Sequence, residues 1–178
     1  DAGLSAVVVT NGDAVRARRL CDELLALAWE QRRKFVYQSE PLDIDLVAGP
    51  TRDEADIKAA IAALGREPGG GLMVLPDAFS SIHRHLIVAL AAERRLPAIY
   101  PGRAYPMAGG LLSYGVELPY LFRQAASYVD RILRGARAGE LPVQAPTKYE
   151  LVINLKAAKS LGVDIPSALL ATADEVIE

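Results

Sequence analysis

Apolar runs of strand length alternate along this chain with longer stretches whose apolar positions recur every three or four residues. Such alternation marks βαβ units, so the pattern predicts an α/β domain, a three-layer parallel sheet of βαβ units with helices on its faces. Ala6 to Thr10 is a β-branched run ending in the turn and cap cluster Asn11-Gly12-Asp13. A helix is predicted from about Ala14 to Lys34, with Ala17, Leu20, Cys21, Leu24, Leu25 and Ala28 forming one stripe. Ile44 to Ala48 reads as the second strand, and Thr51-Arg52-Asp53-Glu54 as a capping box ahead of a helix from Ala55 to Leu64. Leu72 to Leu75 is the third strand, Pro76-Asp77 opens a helix running to about Arg95, and Pro97 to Tyr100 is a fourth strand ended by Pro101-Gly102-Arg103.

Further on, Leu118, Leu121, Phe122, Ala125, Ala126, Val129, Ile132 and Leu133 recur at spacings of three and four, which predicts a strongly amphipathic helix ending at Gly135. The chain then turns extended from Leu141 to Asn154. Lys148 to Ile153 reads as a strand and Leu155 to Leu161 as a short helix stopped by Gly162, before a terminus containing Pro166. Neither an internal repeat nor a low-complexity linker interrupts the pattern.

The 178 residues suffice for one full core, so residues 1–178 are read as a single domain. With 51% apolar and 24% charged residues and a formal net charge of -2, the composition is that of an ordinary globular protein and predicts no nucleic-acid or membrane-surface binding. The single cysteine, Cys21, sits at helical spacing among apolar residues and reads as a small buried hydrophobe; it leaves the compartment open. The chain starts at Asp1, which is expected where a signal segment has been removed or a piece excised.

In an open parallel sheet, ligands bind beyond the carboxyl ends of the strands, where this chain places Asn11, Asp77 and Tyr100. Asp77 carries two readings: a carboxylate facing a cleft, or the N-cap of the helix behind it. Tyr100 and Tyr114 either pack flat on an organic ligand or belong to the core, and Arg103 is either the partner of a ligand carboxylate or an exposed loop arginine. Ala78, Ser113 and Gly115 flank these positions and complete the candidate ligand-binding set. Catalytic chemistry finds no motif. Gly69 to Gly71 are not followed by the Lys-Ser or Lys-Thr of a phosphate-binding loop, and Ser113 lacks the glycine two positions earlier that a nucleophile elbow needs. His83 and His85, two apart on a predicted helix, face different ways, so neither a metal nor a cofactor is expected.

Several long phrases carry a family resemblance. They are Arg66-Glu67-Pro68-Gly69-Gly70-Gly71-Leu72, Val74-Leu75-Pro76-Asp77-Ala78-Phe79, Leu96-Pro97-Ala98-Ile99-Tyr100-Pro101 and Gly109-Gly110-Leu111-Leu112-Ser113-Tyr114-Gly115. To these are added Ala125-Ala126-Ser127-Tyr128-Val129-Asp130-Arg131-Ile132-Leu133-Arg134-Gly135 and Leu141 through Gly162. From near Asp45 onward the chain resembles the substrate-binding proteins of ABC transporters. The resemblance implies one lobe, the C-terminal one, of a type I periplasmic-binding-protein fold, in which two lobes close on a small organic solute. It implies delivery of an amino acid or other small organic acid or aromatic to a membrane permease, without enzymatic activity. The full-length family is periplasmic or lipid-anchored, whereas no signal segment is read here. It also implies that residues 109–140 form a crossover packing on a second lobe or on a partner chain, and homo-oligomers through the 118–133 helix are expected on that basis. Residues 1–40, notably Ala17 to Leu24 and Phe35-Val36-Tyr37, are more similar to a stretch of the microcystinase-type metallopeptidases. The alternatives are therefore a fragment of an α/β hydrolytic metalloenzyme and an oligomeric lobe without ligand.

Overall fold

The computed structural model describes residue 49, residues 51–66 and residues 69–178. The strands read at 6–10 and 44–48, the helix at 14–34, Cys21 and Asn11 lie outside the described residues. The described part of the chain is built on one five-stranded sheet whose strand order equals chain order.

Helix α1 (Glu54–Leu64) is capped by Asp53, whose carboxylate accepts the Asp56 amide at 2.8 Å, while Asp56 accepts the Arg52 amide at 3.0 Å. The capping device is thus centred two residues after Thr51, because an aspartate with extended backbone reaches the first free amide. Strand β1 (Leu72–Met73) leads through Pro76-Asp77 into α2 (Ala78–Ile82) and α3 (Arg84–Glu93). The sequence pattern predicts one helix here. It is divided at His83, and the Ser80 and Ser81 hydroxyls bond back to the Asp77 carbonyl, a competition with the helical ladder that bends helices. Strand β2 (Ala98–Tyr100) follows, then the short α4 (Ala104–Met107) and strand β3 (Leu112–Val116), neither of which the pattern predicts. Helix α5 (Leu118–Leu133) leaves the sheet; strand β4 (Tyr149–Asn154) returns to it, and α6 (Leu155–Leu161), α7 (Ser167–Leu170) and β5 (Glu175–Ile177) complete the chain. Gly162 ends α6 in the left-handed region at φ 69°, the glycine stop its position predicts.

Strands β1, β2 and β3 are parallel, β4 runs antiparallel to β3, and β5 is parallel to β4. The sheet is therefore mostly parallel with one reversal, and the α/β class stands. Alternation along the strands sorts the side chains onto two faces. Leu72, Val74, Ala98 and Tyr100 join Ile57, Ile61 and Leu64 of α1, Ile87, Val88 and Ala91 of α3, and Tyr105 of α4 in one core. Leu112, Leu151 and Ile153 join Ala157, Ala158 and Leu169 of α6 and α7 in the other. Three layers result, with β4 at the centre: Val152 and Ile153 are fully buried on opposite faces.

Candidate functional site

Strand direction decides which side chains meet. The carboxyl ends of β1, β2 and β3 lie on one edge of the sheet, and the reversal at β4 brings the beginnings of β4 and β5 to the same edge. Asp77, Arg103, Tyr114 and Gly115 thus share an edge with Tyr149, Glu150 and Glu175.

At β1, Asp77 accepts the Phe79 amide at 2.7 Å on one oxygen and the Ser80 amide at 3.1 Å on the other, so its carboxylate caps α2; Ala78 stands exposed as the first helical residue. At β2, Tyr100 is buried and stacked on Tyr105 with ring centroids 4.8 Å apart, and burial raises the pKa of its phenol. It is a core side chain facing the α4 layer, beneath the edge rather than at its rim. Beyond it Arg103 is gripped by two carboxylates: its guanidinium bonds Glu175 and stands 3.6 Å from Glu150.

At β3 the exposure rises outward along the strand. Ser113 is fully buried, and its Oγ has no hydrogen-bond partner among the described residues, nor has the buried Tyr105 hydroxyl. Tyr114 is half-buried and stacked on Tyr149 at 5.7 Å and 13°. Gly115 passes so close to the loop after β2 that a Cβ there would stand 1.9 Å from the Pro101 carbonyl oxygen. This approach holds the ends of β2 and β3 together.

Glu150 is the electrostatic centre of the edge. Burial pushes its carboxyl above the ordinary range; Arg103 pulls the other way, and Glu117, Glu175 and Asp174 push it further up. Tyr149, Glu150 and Glu175 are not among the sequence candidates. The available signal is a Tyr-Glu pair opening a predicted strand, but without the strand's direction it points nowhere. His83 accepts or donates at Nδ1 to the Phe79 carbonyl, 2.9 Å away, and its Nε2 lies 3.8 Å from Glu54. Among the described residues no three histidine, cysteine or acidic side chains cluster as a metal site would need, and no helix is long and apolar enough to cross a membrane.

The edge offers stacked aromatic faces, carboxylates and one arginine. Such a surface can hold a small polar organic molecule by shape and hydrogen bonding, and lacks an arranged nucleophile, base and oxyanion site among the described residues.

Comparison with known proteins agrees with the architecture. The chain is similar to a conserved domain protein from Vibrio cholerae, with TM-score 0.70 and 28% identity, over 89% of this chain and 50% of that one. It is similar in fold to an ABC domain from Streptococcus pneumonia in complex with L-Trp, with TM-score 0.67 and 19% identity, over 90% and 52% of the two chains. A ligand-free, open substrate-binding protein with adhesive properties from Clostridium difficile gives TM-score 0.55 and 18% identity, over 94% and 52%. The chain spans about half the length of these solved structures. No curated protein matches it. The family model of the ABC transporter substrate binding protein matches residues 26–177, nearly the whole chain, and this chain belongs to that family.

Proposed function

We propose that this chain is the C-terminal lobe of a solute-binding protein and that its sheet edge is one wall of the cleft. The observation that carries the reading is the convergence at that edge of Tyr114, Tyr149, Glu150 and Arg103, in a chain of a substrate-binding family. The ligand is a small organic molecule, an amino acid or a related acid or aromatic. A flat ring would lie on the Tyr114–Tyr149 pair, an amine would be met by the Glu150 side, and a carboxylate by Arg103 released from one of its two partners. The L-Trp held by the Streptococcus protein supports this class. Gly115 and Ala78 keep the wall low enough for the ligand to approach the backbone.

Binding makes and breaks no bond. A second lobe would close over the edge by a hinge motion, stabilised only by the ligand's greater affinity for the closed state, and the closed form would dock on an ABC permease at the outer face of the membrane.

The test is thermal unfolding of the purified chain against amino acids and small organic acids, with Tyr114→Ala and Arg103→Ala alongside. A ligand-dependent rise in Tm, lost in both variants, is the expected result. An unchanged Tm across the library, or a rise that survives both substitutions, would overturn the assignment of this edge.

A further inference from the structure

The longest helix of the described residues has no buried residue. α5 turns Tyr120, Gln124 and Tyr128 toward the returning strand segment: Tyr128 donates to the Pro142 carbonyl at 2.6 Å, and the Tyr120 hydroxyl lies 3.3 Å from that of Thr147. The opposite face is apolar and open. Phe122 is 72% exposed and Leu133 81%, and Leu118, Ala125, Ala126, Val129 and Ile132 are exposed beside them.

The spacing on that face says what covers it. Leu118, Phe122, Ala125, Val129 and Ile132 follow one another at intervals of four, three, four and three, the seam spacing of helices that pair in register. The seam is also its own complement. In an antiparallel pair centred between Ala125 and Ala126, Phe122 faces Val129 of the other helix and Leu118 faces Ile132, large against branched at both flanks. The small alanines at the centre permit close approach. The charged side chains Arg123, Asp130, Arg131 and Arg134 all lie off the seam, so no like charges are forced together, and Asp130 and Arg134 neutralise each other within one helix at 2.9 Å.

We propose that α5 is the interface of a two-fold homodimer, each chain covering the other's apolar stripe with its own. A helix of 16 residues is about 24 Å long, so the contact is smaller than the roughly 800 Å² per partner of a standard interface. The dimer is accordingly a dynamic one, with a dissociation constant on the order of micromolar.

Light scattering coupled to size exclusion, from about 1 to 100 μM chain and without added solute, reads this directly. The expected result is a monomer at the dilute end, a dimer at the concentrated end, and a monomer throughout for Phe122→Asp. Orientation is read in a Cys21→Ser background. Ala125→Cys, at the centre of the pair, should yield an oxidised dimer that Ser127→Cys, on the far face, does not. A monomer at the highest concentration, a dimer that persists in Phe122→Asp, or equal cross-linking of the two cysteine variants would overturn the proposal. If the chain's own first residues cover the stripe instead, the parent is monomeric and a cysteine at 125 resists a maleimide reagent, which equally sinks it.

Discussion

β4 and α5 are both rich in apolar residues, and they have opposite fates. Val152 and Ile153 are fully buried between two helical layers, whereas α5, more than twice as long, buries none of its residues. Periodicity reveals that an element has an apolar face; it does not reveal whether the same chain holds the surface that face needs. The strand finds its partners within the chain's own fold. The helix advertises a contact made elsewhere.

The sharpest way to break this contrast is at the place where the strands are locked. Gly115→Ala sets a methyl against the Pro101 carbonyl, so backbone must move, and the loss is expected at about 3 kcal/mol or more, read as a collapse of the urea midpoint. Next comes a matched pair. Ile153→Ala empties a fully buried position and should cost about 2–5 kcal/mol at any protein concentration, while Ile132→Ala should matter only where the chains associate, its effect disappearing on dilution. A smaller change, Asp77→Ala, removes the cap of α2 and is expected to lower stability by about 1 kcal/mol with the sheet intact by circular dichroism.

The smallest effect is the pH dependence of Glu150. Its folded pKa is raised, so the native state holds the proton more tightly than the unfolded chain does; stability from this group is present below the unfolded value of about 4.3 and declines as pH rises through the folded one. Glu150→Gln should therefore be at least as stable as the parent at pH 7, and the advantage should shrink as pH falls below about 4. A variant that is less stable at pH 7 would mean that the Arg103 contact outweighs burial.

How much of this is legible in the sequence depends on the residue types. The strands read at Leu72 to Leu75, Pro97 to Tyr100 and Lys148 to Ile153 are present within a residue or three, because aliphatic and β-branched runs bounded by proline and glycine admit few other readings. β3 is hidden because its sequence, Leu-Ser-Tyr-Gly-Val, holds a buried serine and a glycine that strands avoid; packing against Pro101 overrides propensity there. α4 is hidden because four residues including a proline carry no period. Arg103 and Tyr114 can be placed near the ends of strands from the sequence, while their neighbours Glu150 and Tyr149 cannot be joined to them, since the reversal of β4 is a property of pairing and leaves no trace in local pattern.

The excursion that carries α5 leaves and re-enters the sheet at a single point, where Val116 is paired with Tyr149 and the Glu117 amide donates to the Lys148 carbonyl. A load applied to α5 therefore enters an antiparallel ladder at its end and peels it one pair at a time, instead of shearing all its bonds together. The rings of Tyr114 and Tyr149 stand at that end, so a pull on the helix would part the aromatic wall of the edge before it strained the core. α5 is in this sense a handle attached to the rim.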